Sequence, residues 1–362
     1  MLLNKKQLKL FKTLSELNGI SGQENEVARF LKEKYLSLGY ELKTDRLGSI
    51  FAFKKSKVEN APVVAVAAHM DEVGFIVTLI NDNGLVNIAP IGGVNPQTLY
   101  AKRVLVGTKG GKFLEGVIDS TPPHLLDKDA KTSDIDISKM LVDFGFTSKE
   151  EVLKAGINSG SMVVVKGDFT ILNDGKRLLG KAFDDRYGLV LGIEILEYFK
   201  DKDLPFNLYV GGTVQEEVGL RGATTSANLL NPDLVIVLDC SPARDSNSAN
   251  VGEGQLGRGL LLRYHDRSML SFPELIAYQE EMAKKAKVKT QYFSSPGGTD
   301  AGAFHKSGEG VLTLTHCICA RNLHTCSTIL DVEDYLAAKK TLITLLNDFD
   351  QTRLNKLKGV RR

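Results

Sequence analysis

The sequence predicts an α/β fold on a parallel sheet, interrupted by an inserted β-rich domain. The run "APVVAVAAHMDE" is almost continuously apolar, which is typical of a strand buried on both faces of a parallel sheet. Helical and strand patterns alternate on either side of residues 73–166, whereas short β-rich runs separated by turns such as "NDNG" and "TKGGK" fill that segment. We therefore predict a discontinuous domain, 1–72 and 167–362, with a second domain at 73–166.

Two amphipathic helices are predicted before the sheet. The first ends at Gly19, and its apolar stripe consists of Leu10, Phe11, Leu14 and Leu17. The residues "SGQE" at 21–24 have the spacing of a capping box, which predicts the start of a second helix. Its stripe consists of Val27, Phe30, Leu31, Tyr35 and Leu38. The next run, "SIFAFK", predicts a strand that precedes the buried one.

The alternation resumes after the insert, in which "SKEEVLKAG" is the one segment with a helical pattern. The segment "LLGKAFDD" leads into the helix "RYGLVLGIEILEYFK" and then the strand "FNLYVGGTV". The helix "RGATTSANLL" and the strand "PDLVIVLDC" follow. We predict two further helices, "SFPELIAYQEEMAKKAK" and, as the last element, "DVEDYLAAKKTLITLLNDF".

Composition excludes several classes of protein. With 362 residues and 43% hydrophobic content the chain can bury a large core, and its formal net charge of +2 argues against nucleic acid or an anionic membrane as a partner. Lysines interrupt the apolar residues of the N-terminal segment, and no apolar run is long enough for a transmembrane helix, so we expect neither a signal peptide nor a membrane span. The 4 cysteines are too few for a disulfide framework, and reduced thiols in the cytoplasm are expected.

Polar side chains recur where the predicted strands end. In open α/β sheets, ligands bind outside the carboxyl ends of the strands, so these side chains should converge on one crevice. Each of them alone has an ordinary use, as a core histidine, a helix cap or a turn residue, and their repetition is what points to a site. They are His69 and Asp71, Asp184 and Asp185, Glu216 and Glu217, and Asp239.

Carboxylates crowded into one crevice repel each other, and a cation must offset their charge. Because His69 is among them, a pair of zinc or cobalt ions fits the donors better than magnesium, and a second imidazole is expected opposite. Cysteines 317, 319 and 326 lie near His316 and His324, but their spacing matches none of the usual zinc patterns. The carboxylate crevice is therefore the favoured metal site.

Glu216 and Glu217 are adjacent in the chain, and the question is whether their two carboxylates have the same role. Neighbouring residues of an extended segment point to opposite faces, so the two carboxylates need not do the same job. An ordinary alternative is a solvated strand end, because Glu is mostly found on protein surfaces.

Six motifs together resemble the dinuclear metallo-aminopeptidases that include glutamyl aminopeptidase and tetrahedral aminopeptidase. They are "AAHMDEVGF", "KAFDDRYG", "TVQEEVGLRGA", "VLDCSPA", "GGTDAGAFH" and "ARNLHTCSTI", and the likeness covers nearly the whole chain. The resemblance implies the three-layer αβα fold of the zinc exopeptidases. It also implies that the barrel-like insert mediates dimerisation, and that dimers assemble into a twelve-subunit tetrahedral particle.

The resemblance also implies a role for each site residue. The metal ligands would be His69, Asp184, Glu217, Asp239 and His324, with Asp184 bridging two ions. Glu216 would be the general base, and Asp71 the partner that orients His69. The last motif departs from the usual pattern of the family, since Asn322 and Thr325 stand where Tyr and Ser are usual.

The implied function is hydrolytic removal of N-terminal amino acids from short peptides, by a water held between two divalent ions, zinc or cobalt. An acidic substrate preference would require a cationic pocket. Arg258, Arg263 and Arg267 could supply it, although solvated surface positions are the ordinary alternative for each.

Two alternatives from other classes stay open at this point. A glycoside hydrolase of the endoglucanase type also uses paired carboxylates, but the chain has no Trp to form an aromatic platform for sugars; hydrolysis that survives chelation would favour it. A non-catalytic assembly protein would have no reason to keep Glu216 together with all the ligands; a protein that is inert and free of metal would favour it.

Overall fold

The computed structural model describes residues 2–120, 135–246 and 254–359, which form an α/β domain and a closed β-barrel. The helices are α1 Lys5–Glu16, α2 Asn25–Ser37, α3 Lys149–Lys154, α4 Phe183–Phe199, α5 Arg221–Leu230, α6 Pro273–Lys285, α7 Asp300–His305, α8 Val332–Asp348 and α9 Gln351–Gly359. The strands up to Gly180 are β1 Glu41–Thr44, β2 Ile50–Lys54, β3 Val63–His69, β4 Gly74–Ile80, β5 Val86–Ile91, β6 Arg103–Gly107, β7 Phe113–Ile118, β8 Leu141–Asp143, β9 Met162–Val165, β10 Thr170–Leu172 and β11 Arg177–Gly180. The later strands are β12 Asn207–Thr213, β13 Leu234–Pro242, β14 Leu260–His265, β15 Thr290–Ser294, β16 Leu312–Arg321 and β17 Thr328–Asp331.

The large sheet has four parallel strands at its centre, in the order β12, β3, β13 and β16. Antiparallel strands extend it on both sides, with β2 and β1 beyond β12 and with β17, β11 and β10 beyond β16. Because the central strands are parallel, their carboxyl ends meet at one edge of the sheet. This edge holds the polar residues singled out in the sequence.

Strand β3 shows why the sheet is covered on both faces. Val64, Val66 and Ala68 belong to one hydrophobic cluster with helices α1, α2, α4, α6 and α8. Ala65 and Ala67 belong to a second cluster, which includes residues of α5 and α7. Alternate side chains of a strand point to opposite faces, so the continuous apolar run fills both interfaces. The predicted αβα layering is confirmed.

The barrel closes in the strand order β4, β5, β8, β7, β6 and β9 and has its own hydrophobic core. Its first and last strands pair antiparallel, with Phe75 opposite Val163, so the chain enters and leaves the barrel at neighbouring points. This arrangement is compatible with a unit inserted at one position of the α/β domain. The boundaries at 73 and 166 and the independent folding of the two domains stay predictions.

The structure differs from the sequence-based expectation in three places. Helix α2 begins at Asn25 with Glu24 as its N-cap, and no side chain caps it, so the capping-box interpretation of "SGQE" is wrong. Ser21 lies too far from the first turn and its hydroxyl bonds elsewhere. Helix α9 follows the helix that we expected to be the last, and the strand and helix elements between 254 and 331 are more numerous than predicted.

Two smaller expectations concern membranes and thiols. Within the part of the chain that the structure describes, no helix is both long and apolar enough to span a bilayer. The 4 cysteines are free, and Cys240, Cys317 and Cys319 are buried in the core.

Candidate metal centre

The structure brings the polar residues of five chain segments together at the carboxyl edge of the sheet. His69 ends β3, Glu217 follows β12, Asp239 lies near the end of β13, Asp184 lies in the first turn of α4, and His324 follows β16. Three groups of potential ligand atoms each lie within 4.8 Å of one another. These groups are His69, Glu216 and Glu217; His69, Asp184 and Asp239; and Asp184, Glu217 and His324.

Asp184 is shared by two of the groups and lies between the two histidines. Its Oδ1 is 3.2 Å from Nε2 of His69, and its Oδ2 is 3.4 Å from Nε2 of His324. Nε2 of His324 also lies 3.3 Å from Oε1 of Glu217. The two oxygens of one carboxylate thus face two different imidazoles, which is the arrangement that a bridging ligand of two cations requires.

Both imidazoles are oriented through their other nitrogen. Nδ1 of His69 lies 2.9 Å from the backbone oxygen of Asp71, and Nδ1 of His324 lies 2.7 Å from the backbone oxygen of Gly93. A carbonyl can only accept, so each Nδ1 donates a proton to its carbonyl. Nε2 is therefore the nitrogen of each imidazole that faces Asp184 and that could bind a metal ion after losing its proton.

The carboxylate of Asp71 has a different partner from the one expected for it. Its Oδ1 is 3.7 Å from Nδ1 of His69, which is too long for a hydrogen bond. Instead it accepts from the backbone N–H groups of Glu216 and Glu217, at 3.0 and 3.1 Å. Asp71 therefore orients His69 through its backbone, while its carboxylate holds the turn that carries the two glutamates.

This turn changes the interpretation of the glutamate pair. Strand β12 ends at Thr213, and Gln215 has a positive φ of 56°. The alternation of an extended strand therefore does not apply, and the expectation that the two side chains lie on opposite faces is wrong. Ligand atoms of both Glu216 and Glu217 lie within 4.8 Å of His69.

Crowding of buried carboxylates shifts the pKa values of the centre. Burial, together with the charge of Asp184, raises the pKa of Asp239 well above its usual value. Burial likewise raises the pKa of Glu217 to about 7. Burial opposes protonation of His324, but the Asp184 carboxylate outweighs it and raises the pKa of His324 to about 10. The site stabilises positive charge and resists further negative charge.

The donor set fits a pair of divalent transition-metal ions. Imidazole nitrogen and carboxylate oxygen are ligands of zinc and cobalt, and burial raises the pKa of the Glu217 and Asp239 carboxyls, so a nearby cation would favour their ionised form. Asp184 faces both histidines and could serve both ions. The alternative cysteine site is not supported, since no cysteine of residues 2–120, 135–246 and 254–359 belongs to a ligand group.

Other residues singled out in the sequence lie at the margin of the centre. Asp185 is buried, belongs to none of the ligand groups, and accepts from the backbone N–H of Gly188 in α4. Arg263 is also buried, and it pairs with Asp266 at 3.0 Å. Burial raises the pKa of Asp239, and the charge of Arg263 offsets a part of this increase. Arg258 and Arg267 are exposed.

A cavity of about 230 Å³ adjoins the centre, between the barrel and the α/β domain. Val94 and Leu99 line it from the barrel side, and Lys181 and Thr325 from the other side, while Asp184 and His324 form part of its wall. The barrel therefore contributes directly to the site, both to the cavity and through the carbonyl of Gly93.

Sequence reasoning missed three contributors to the site. Ser21 donates to Asp71, Glu24 accepts from the backbone of Gln215, and Gly93 accepts from His324. The "SGQE" motif was the available signal for the first two, but its spacing also matches a capping box, so the sequence alone could not assign it. Nothing in a glycine of the insert indicates that its carbonyl faces the site.

Comparison with known proteins identifies the family of this chain. A family model described as M42 glutamyl aminopeptidase matches residues 48–341. The chain is 39% identical to a glutamyl aminopeptidase of Lactococcus lactis subsp. cremoris over 349 residues, which cover 96% of this chain and 98% of that protein.

Two solved structures are similar over nearly the whole chain. A TET aminopeptidase from the marine sediment archaeon Thaumarchaeota archaeon SCGC AB-539-E09 has 35% identity and a TM-score of 0.92, covering 97% of this chain and 98% of that one. The TET1 peptidase of Pyrococcus horikoshii, described as able to assemble into a tetrahedron or a large octahedral shell, has 30% identity and a TM-score of 0.85, covering 95% and 100%. The chain therefore belongs to the M42 glutamyl aminopeptidase family, whose members hydrolyse N-terminal peptide bonds.

Proposed function

We propose that this aminopeptidase works with two divalent ions, zinc or cobalt, held by His69, Asp184, Glu217, Asp239 and His324. The observation that carries the proposal is the position of Asp184, whose two carboxylate oxygens face the two different histidines at 3.2 and 3.4 Å. One ion would take His69 and Asp239 as its further ligands, and the other Glu217 and His324, in keeping with the ligand groups.

Bound ions would supply Lewis acidity, lowering the pKa of a water and polarising the substrate carbonyl. The protein supplies the rest of the chemistry. The Glu216 carboxylate would accept a proton from the attacking water and donate it to the leaving amine. Asp71 and the carbonyl of Gly93 keep the glutamate turn and His324 in place. The acidic cluster would also attract the free α-amino group of a peptide, which favours cleavage at the N-terminus.

An acidic substrate preference is the finer proposal, and Arg263 is the residue that would carry it. Of the three candidate arginines, Arg263 is the buried one, and it acts electrostatically on Asp239. Its Nη1 and Nη2 donate to Ser241 and to the carbonyl of Gly297, so the guanidinium is held in one position beside the centre. The name of the Lactococcus relative supports the same preference.

We also propose a large homo-oligomer for this chain, in which the barrel pairs two subunits and the dimers build a twelve-subunit particle. The assembly described for the Pyrococcus relative supports this proposal. An enclosed particle would admit short peptides, so we expect these to be the substrates.

The first prediction separates the two glutamates. Glu216→Gln removes the proton acceptor and keeps the shape, so kcat should fall by about 10²–10⁴ while metal content stays near that of the wild type. Glu217→Gln, the matched control one residue away, should instead lower metal content. Kinetics with an aminoacyl-anilide and elemental analysis measure both effects; substantial turnover by Glu216→Gln would contradict its assignment as the base.

The second prediction concerns the shared carboxylate. Asp184→Ala should lose at least one metal ion per chain, because both proposed ions depend on this side chain. Asp203→Ala, which changes an exposed carboxylate paired with Lys57, is the control and should retain full occupancy. If elemental analysis finds two ions per chain in Asp184→Ala, Asp184 does not bridge.

Exhaustive chelation of the wild type should abolish hydrolysis, whereas a glycoside hydrolase would stay active.

The third prediction tests substrate preference with a pair of nearly isosteric substrates. A fixed guanidinium near the site would attract the charged side chain across the buried surroundings, so kcat/KM for a glutamyl-anilide should exceed that for a glutaminyl-anilide by about tenfold or more. Arg258→Gln and Arg267→Gln, which change exposed arginines, should leave this ratio unchanged. Equal rates for the two substrates, or a preference for lysyl-anilide, would contradict the acidic preference.

The fourth prediction tests the barrel as an assembly module. Replacing residues 73–166 by a short Gly/Ser linker should leave a folded α/β core, because β4 and β9 place the two ends side by side. Light scattering should give many times the subunit mass for the intact chain and a much smaller species for the variant. A wild-type monomer, or a variant that still forms the full particle, would show that the barrel is not the assembly module.

A further inference from the structure

The segment between α1 and α2 packs against the turn that carries the two glutamates. The hydroxyl of Ser21 donates to Oδ2 of Asp71 at 2.6 Å, and Oε1 of Glu24 accepts from the backbone N–H of Gln215 at 3.0 Å. Gln215 follows Glu24 by 191 positions in the chain, so this contact is tertiary. Ser21 and Glu24 of "SGQE" therefore contact the glutamate turn and its Asp71 support, and neither side chain caps helix α2.

Three successive N–H groups of the turn bind to carboxylates. The N–H of Gln215 donates to Glu24, and those of Glu216 and Glu217 donate to the two oxygens of Asp71. Successive N–H groups around a left-handed residue form a concave site that favours negative charge. In this protein the site is filled by two of its own carboxylates, one of which is in turn bound by Ser21.

The backbone of this turn depends on such contacts for its shape. Gln215 has a positive φ of 56°, which residues other than glycine adopt rarely and keep only where their surroundings hold them. Its N–H is held by Glu24, and its carbonyl accepts from the N–H of Arg221 at 3.2 Å. A change of φ here would rotate the following peptide units and displace the carboxylates of Glu216 and Glu217.

We propose that Ser21 and Glu24 are positioning residues of the aminopeptidase, which hold the Gln215–Glu217 backbone so that the two glutamates keep their places at the metal centre. Ser21 acts through Asp71, because its hydroxyl fixes the carboxylate that receives two of the three N–H groups. Glu24 acts directly on the third. The consequence for catalysis rests on the roles proposed for Glu216 and Glu217, whereas the effect on the backbone does not.

The chain offers matched variants for this proposal. Ser21→Thr keeps the hydroxyl and Glu24→Gln keeps the accepting oxygen, while Ser21→Ala and Glu24→Ala remove them. Burial raises the pKa of Glu24 to about 7, and Gln keeps the accepting oxygen at this position without a carboxylate charge. Gln23→Ala is the control inside the same motif, since its side chain donates at the surface to the carbonyl of Gly160.

Amide hydrogen exchange in the metal-free full-length protein tests the backbone effect without any assay of activity. In Ser21→Ala and Glu24→Ala, the amides of residues 215–217 should exchange about tenfold faster than in the wild type. The reason is that each substitution removes one hydrogen bond that supports the turn. Exchange within β12 should stay unchanged. Gln23→Ala and the two conservative variants should match the wild type. Wild-type exchange rates in both alanine variants would overturn the proposal.

Kinetics of the zinc-loaded variants test the catalytic consequence. Ser21→Ala and Glu24→Ala should lower kcat about tenfold with KM and metal content near those of the wild type, and Ser21→Thr and Glu24→Gln should recover most of kcat. Ser21→Ala removes one oxygen from a half-buried side chain, so we expect this variant to fold. It therefore tests the positioning role even if Glu24→Ala does not fold.

The two experiments separate this inference from the proposed function. If the wild type does not hydrolyse aminoacyl-anilides, the proposed function fails, and amide exchange still decides the backbone effect. If the wild type is active and Glu216→Gln is inactive, but Ser21→Ala and Glu24→Ala retain full kcat, the proposed function stands and the positioning role of Ser21 and Glu24 is wrong.

Discussion

Buried carboxylates crowd the carboxyl edge of the central sheet, and their mutual repulsion governs the contacts around them. Three acidic side chains beside the centre have partners of their own: Asp71 accepts from Ser21 and two backbone N–H groups, Glu72 pairs with Lys181 at 2.6 Å, and Asp300 accepts from Thr213. The carboxylates of Asp184 and Glu217 instead lie against imidazoles. A group of acids whose outer members are hydrogen-bonded or paired, and whose inner members crowd together, is suited to hold cations.

The fold supplies this arrangement from distant parts of the chain. The parallel strands bring His69, Glu217 and Asp239 to one edge of the sheet, and the first turn of α4 holds Asp184 at the same edge. The barrel adds the carbonyl of Gly93, which sets the orientation of His324. The candidate metal centre therefore draws on both the central sheet and the barrel, and a change in the packing of the barrel would reach His324 directly.

The sequence predicted much of the architecture, since the continuous apolar run of β3 and the helical stripes are strong local patterns. The sequence predicted the site segments less well, because their polar side chains do not follow the capping and strand-alternation patterns. "SGQE" satisfies the spacing of a capping box, yet its polar groups bond to residues far away in the chain. Glu216 and Glu217 look like the end of a strand, yet the positive φ of Gln215 places them in a turn. Long-range partners of this kind leave no periodic signal.

Anomalous diffraction from crystals of the zinc-loaded protein would locate the proposed ions. Data on the two sides of the zinc absorption edge give the position of each ion independently of any assay of activity. We expect two peaks per chain, one on each side of the Asp184 carboxylate, with His69 beside one and His324 beside the other. A single peak, or two peaks that do not share Asp184, would contradict this expectation.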